Sequence, residues 1–188
     1  MTRFVWMNGD GNVTFRHSCT VALGILLSAG ARAQSTDEYR VKAAFLYNFA
    51  KFVDWPAQAF KSSTDPIVIG VLGKNPFGDA LVAVTAGKTL RNRAFQVREV
   101  IDSGQAAGCQ ILFISSSERK RLAMLFSQIE GLGILTVGET DNFTAEGGVV
   151  NFKIEAGTIR LQINVEAARR EQLHISAKLL SLAEIVGK

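Results

Sequence analysis

Three short runs constrain this chain most: "PIVIGVLG" (Pro66 to Gly73), "CQILFISS" (Cys109 to Ser116) and "GILTVGE" (Gly133 to Glu139). Each is continuously apolar and rich in β-branched residues. A strand with one wet face alternates apolar and polar side chains, so a run apolar throughout needs cover on both faces. Such strands belong to parallel sheets sandwiched between helices. The segments between them supply the helices. "NPFGDALVAVTAG" carries Pro76 near a helix start and Gly87 at its end. The span from Glu118 to Glu130 sets Leu122, Leu125, Phe126 and Ile129 on one helical face. "AFQVREV" (Ala94 to Val100) alternates and reads as a strand nearer an edge. This alternation predicts an α/β fold: three-layer, with a mostly parallel open sheet and helices on both faces.

The two ends of the chain depart from that rhythm. "VVNFKIEAGTIRLQIN" (Val149–Asn164) holds two alternating runs around Ala156-Gly157, which predicts a C-terminal antiparallel hairpin. A two-residue turn there pairs Ile154 with Ile159 and Phe152 with Leu161 on one face. It pairs Asn151 with Gln162 and Lys153 with Arg160 on the other, so the register is self-consistent. Beyond it, Ser176 to Val186 reads as a helix with Leu179, Leu180, Ala183 and Val186 inward.

At the other end, Ser35-Thr36-Asp37-Glu38 reads as a capping box opening a helix from about Asp37 to Val53. Val41, Phe45, Asn48/Phe49 and Phe52 share one helical face, and Arg40, Tyr47, Lys51 and Asp54 lie on the other. Pro56 ends the helix by pushing Trp55 out of the α region. The phenylalanine stripe is expected to be core, which leaves Tyr47 and Trp55 as aromatic candidates for partner contact.

Upstream, residues 1–33 read as a cleaved secretion signal. Arg16 and His17 precede an apolar run from Cys19 to Ala31, and Ala31-Arg32-Ala33 has the small-x-small pattern of a cleavage site. That run is shorter than the roughly 20 residues a transmembrane helix needs. Met7 is an alternative start that would shorten the leader to a more usual length. Residues 34–188 are then a single domain. The leader removes Arg3, Arg16, Arg32 and Asp10, which lowers the formal net charge of +4 by two. Neither that charge nor any dense Lys/Arg cluster suits a nucleic-acid partner. Cys109 becomes the lone cysteine, so no intramolecular disulfide can form.

Catalytic and metal signatures are not assembled in this sequence. Gly87-Lys88-Thr89 looks like the end of a phosphate loop, but the glycine required five residues earlier is Val82. Ser115-Ser116-Ser117 has no G-x-S-x-G elbow around it. His174 is the one histidine past the leader, which leaves few acid–base options for a hydrolase and no pattern for zinc. No cofactor or metal is expected.

Two features go beyond scaffolding. Lys153 opposes Arg160 in the predicted hairpin. Either Glu155 compensates diagonally, or Lys153, Arg160, Gln162 and Asn164 form a basic polar face that receives an anion or acidic partner. Further on, "EAARREQLHIS" sets Arg170 and His174 four apart, neighbours on any helix there, with His174 a pH-sensitive group.

Taken in order, "YRVKAAFLYNFAKFVDWP", "IVIGVLGKNPFG", "CQILFISSSE", "ILTVGE", "FTAEGGVVNF" and "INVEAARREQLHISAKLLSLA" resemble the YfiR-like family of periplasmic proteins. The resemblance implies a periplasmic repressor that binds the periplasmic sensor region of an inner-membrane diguanylate cyclase. It lowers cyclic di-GMP and so acts on biofilm formation and motility. It also implies an outer-membrane-associated lipoprotein as a second partner, and a homodimer. Cys109 matches a family cysteine, but redox-sensing members carry pairs, so only a mixed or intersubunit disulfide is open to it. His174, with Arg160 and Asn164 nearby along the chain, falls where the family is thought to place a small-ligand pocket. The alternative function is a small-molecule binding module, with ligands at the carboxyl ends of strands around Gly73, Ser115 and Gly138.

Overall fold

The computed structural model describes the backbone of residues 26–187 and side chains from Asp37 onward. Met1–Ser35 and Thr36–Lys188 are separate compact units, and the packing below is that of the second. The secretion signal expected over residues 1–33 lies outside the described residues, apart from the start of the first helix.

In chain order the elements are α1 (Leu26–Phe52), β1 (Val53–Asp54), β2 (Ile67–Leu72), α2 (Ala80–Thr85), β3 (Thr89–Leu90), β4 (Arg93–Val100), β5 (Ile111–Ile114) and α3 (Leu122–Ile129). Then come β6 (Leu135–Gly138), β7 (Val150–Glu155), β8 (Thr158–Asn164), α4 (Val165–Arg170), β9 (His174–Ile175), α5 (Ala177–Leu180) and β10 (Ala183–Val186). Eight strands form one sheet in the order β10-β8-β7-β6-β5-β2-β4-β3, and β1 pairs with β9 beside it. Within the large sheet only β3–β4 and β7–β8 are antiparallel.

The continuous apolar runs are explained by where their alternate residues go. Ile67, Ile69, Val71, Ile111, Phe113, Leu135 and Val137 join a core with α1, α2, α4 and α5. Val68, Leu72, Leu112, Ile114 and Ile134 join a second core under α3. The sheet is therefore buried on both faces, as a three-layer α/β fold requires. The hairpin register is the expected one: Ile154↔Ile159, Phe152↔Leu161, Asn151↔Gln162 and Lys153↔Arg160. Ala156 and Gly157 both take positive φ, the geometry that matches a tight turn to strand twist.

Three local expectations are corrected. Ala183–Val186 is a strand paired parallel to β8, not the end of a helix, and only Ala177–Leu180 is helical. A parallel slot beside β8 outweighs the weak helical pattern, because it gives the backbone of Ala183–Val186 a ladder and leaves Leu182 exposed. Next, Ser35-Thr36-Asp37-Glu38 sits inside α1, and Glu38 reaches forward to Lys42 instead of back to a cap. Finally, α1 is rotated relative to the expected stripe. Ala43, Leu46, Phe49, Ala50 and Val53 are buried, Phe45 and Phe52 are half-buried, and Val41 is exposed. The inward face carries Lys42 with it.

Candidate functional site

Parallel strands end together, and their carboxyl ends open onto connecting loops where ligands collect. Glu139 follows directly on β6 at that end of the sheet. Its carboxylate is almost buried (7% exposed), and it accepts from Lys42 Nζ at 2.7 Å and from the Tyr39 hydroxyl at 3.1 Å. Lys42 itself is 3% exposed, bonds Glu38 as well, and lies over the Tyr39 ring at 4.7 Å. Burial and the Glu139 carboxylate beside it push the Tyr39 hydroxyl pKa well up, so the phenol stays protonated as a donor.

The loop from Glu139 to Gly148 is held by Phe143. A side chain at Gly138 or Gly148 would meet its ring within 2.3 Å, so both positions are glycine by necessity. Asn151 on β7 ties the same loop down, its Nδ2 donating to the Thr140 carbonyl at 3.0 Å. Its Oδ1 and the Thr140 hydroxyl are left buried without a partner. Asn151 and Thr140 line a cavity of about 440 Å³ with Tyr39, Lys42, Glu139 and Lys153, while these two oxygens themselves are sealed from solvent. A second cavity of about 540 Å³ adjoins it, sharing Asp141, Asn151 and Lys153.

The residues singled out from sequence fall in several places. Lys153 reaches these cavities, but its Nζ is directed to Glu155 and Glu184 at 3.5 and 3.4 Å. Those two carboxylates hold its pKa above the ordinary lysine value, Glu184 foremost. Glu155 and Glu184 thus relieve the Lys153–Arg160 opposition by neutralising Lys153, while Arg160 stays exposed. Asn164 lines the second cavity, yet both ends of its amide are tied to the scaffold: Oδ1 caps α4 at Ala167 N and Nδ2 donates to the Thr144 carbonyl.

His174 and Arg170 are not helix neighbours, because α4 stops at Arg170 and His174 belongs to β9. His174 is exposed and faces Asp54 at 4.0 Å across the β1–β9 pair, away from the strand-end cavities. Tyr47 lies between Lys51 and Lys88, each 4.4 Å from its ring centre, against Phe95. Trp55 is anchored inward, its indole N–H donating to the Gln110 carbonyl at 2.9 Å. Cys109 is buried under Arg98, with burial pushing its thiol pKa up and the guanidinium only partly offsetting that.

Tyr39, Lys42, Glu139, Thr140 and Asn151 were not singled out from sequence. A lysine among buried apolar residues is a signal only once the helix phase is known. The phase is visible in Ala43, Leu46 and Ala50 when alanines are allowed on the buried face.

Comparisons with known proteins follow this geometry. A family model described as YfiR/HmsC-like matches residues 39–184, from the first turn of described side chains to β10. No curated protein matches the chain in sequence. Among solved structures, a conserved domain protein from Vibrio cholerae O1 biovar El Tor superposes with a TM-score of 0.54 at 9% identity. That match covers 78% of this chain and 59% of the Vibrio protein, and it speaks for the fold alone. The ABC domain in complex with L-Trp from Streptococcus pneumoniae gives a TM-score of 0.46 at 11% identity, covering 63% of this chain and 55% of that one.

Proposed function

The chain belongs to the YfiR/HmsC-like family, and from that membership we propose that it is a periplasmic regulatory binding protein acting on a membrane diguanylate cyclase. In this reading it holds the periplasmic sensor region of an inner-membrane cyclase in an inactive state. Cyclic di-GMP falls, and biofilm formation and motility respond. An outer-membrane-associated lipoprotein that sequesters the repressor, and a homodimer of the repressor itself, complete the proposal. The observation that carries it is the extent of the family match, which runs through the sheet and its helices to the last strand. The leader-like residues 1–33 are consistent with export.

Deleting the gene is expected to raise cyclic di-GMP and biofilm mass, and the exported protein is expected to pull down the sensor region of one cyclase. An unchanged nucleotide level with no cyclase captured would overturn the proposal.

A second reading is favoured by the strand-end cavity. Tyr39, Lys42, Glu139 and Asn151 bring polar groups together around it, which suits a small-molecule binding module, and such a ligand could tune the same repression.

A further inference from the structure

We propose that the open edge of β4, with the groove between it and α2, takes up an extended acidic segment of a partner protein as an added strand. The inference concerns how a protein partner is gripped, and it stands whether or not that partner is a cyclase.

The first observation is the edge. β4 pairs with β2 from Phe95 to Val100 in unbroken register. On its other side β3 covers only Arg93 and Ala94, and among the described residues no strand follows β3 in the sheet. Every second residue from Phe95 onward therefore turns an N–H and a C=O outward with no ladder partner. Chains commonly blunt such an edge with a proline, a bulge or a cover. β4 has neither proline nor bulge, and its Arg98 is spent on the Gln105 and Ala107 carbonyls.

The second observation is a groove of about 280 Å³ where β3 stops. Val82, Thr85 and Ala86 line it from the α2 side, and Phe95 and Val97 from β4. Val82 is 54% exposed, and Phe95 and Val97 are only half-buried. A strand added to β4 lays alternate side chains along these apolar groups.

The third observation is charge, and it names the occupant. Lys88 lines the groove beside β3. Its Nζ and that of Lys51 each lie 4.4 Å from the centre of the Tyr47 ring, which packs on Phe95 at 5.1 Å. Neither lysine forms an ion pair among the described residues. Two like charges gathered on one ring without a counter-charge favour an incoming carboxylate. A second copy of this chain is the weaker occupant, because the β4 side chains it would lay in the groove, Phe95 and Val97, are already packed against its own core.

Selection of a displayed library of random ten-residue peptides on the full chain, followed by titration of the enriched peptides, tests this. The enriched sequences are expected to carry Asp or Glu beside alternating apolar residues and to bind saturably. Lys88→Glu and Val82→Glu, both at exposed positions, should each weaken binding about tenfold while leaving the melting curve in place. Methylating alternate backbone nitrogens of the peptide removes its ladder donors and should abolish binding. No enrichment, binding indifferent to Val82→Glu, or a methylated peptide that binds as well as its parent would each overturn the site. Enrichment of basic or neutral peptides would overturn the acidic class. A dimer of the full chain that Val82→Glu dissociates would give the edge to a second copy and overturn the proposal too.

Discussion

Lys42 on α1 and Glu139 at the end of β6 meet at 2.7 Å although 97 residues separate them along the chain. The pair pins the first helix to the carboxyl end of the sheet. Taking two charges out of water is costly, so the pair stabilises little in net terms, but removing one partner strands the other. Lys42→Met is expected to destabilise by about 3–5 kcal/mol in urea unfolding. A Lys42→Met/Glu139→Leu double variant should recover much of that loss. A single-variant cost below about 1 kcal/mol, the value of a surface pair, would mean the pair is solvated.

Phe49 is 1% exposed and packs on Phe45 and Phe152 at ring-centre distances of 6.1 and 6.0 Å. Truncation leaves a cavity between α1 and the hairpin. Phe49→Ala should therefore cost about 3–5 kcal/mol, read from the urea midpoint at unchanged slope. A melting temperature equal to that of the parent would contradict the packing.

Cys109 is 2% exposed, and its position against Gly70 and Arg98 leaves no route for a disulfide partner without local opening. Burial also keeps the thiol protonated. Iodoacetamide is expected to label it about a hundredfold more slowly in the native protein than in urea. Rapid native labelling, or a disulfide-linked dimer forming without denaturant, would restore a redox role to this cysteine.

Much of the fold was legible because its signal is local. Continuous apolar strands and the Ala156-Gly157 turn each state their own environment, and the register from Asn151↔Gln162 to Ile154↔Ile159 followed from them. The site was less legible because it is assembled over long range. Nothing near Glu139 in sequence announces Lys42. Ala183–Val186 differs from its helical expectation for the same reason: the slot beside β8 that makes it a strand is created by residues 158–164, and its helical spacing is only incidental. Residues such as Asn164 and Trp55 look like surface binding groups in sequence, yet each donates to a carbonyl that only the fold brings near, Thr144 for Asn164 and Gln110 for Trp55.

Asn164 is the cap of α4 and the tie to Thr144 at once. Asn164→Ala removes both hydrogen bonds and should cost about 1–2 kcal/mol, with Asn164→Asp, which can still cap but sets a buried carboxylate oxygen against the Thr144 carbonyl, losing at least as much. Gly187 approaches the same amide so closely that a side chain there would collide with it. Urea unfolding of the two variants checks the ordering. Equal stability of Asn164→Ala and the parent would remove Asn164 from the scaffold and return it to the list of ligand groups.

The Tyr39 hydroxyl gives the protein a pH limit on the alkaline side. Burial and Glu139 raise its pKa above the ordinary value near 10, so the folded state holds the proton more tightly than the unfolded chain. Stability from this group is complete below the unfolded pKa and is lost as pH rises from about 10 towards the folded value. Urea unfolding between about pH 8 and pH 11 should then show a steeper alkaline loss in the parent than in Tyr39→Phe, which has no proton to release. Cys109 and Lys153, whose pKa values are also raised, are common to both proteins and cancel in the comparison. At pH 7, Tyr39→Phe should be modestly less stable, by about 1–2 kcal/mol for the lost hydrogen bond to a carboxylate. Parallel alkaline slopes in the two proteins would show that Tyr39 does not share its proton with Glu139.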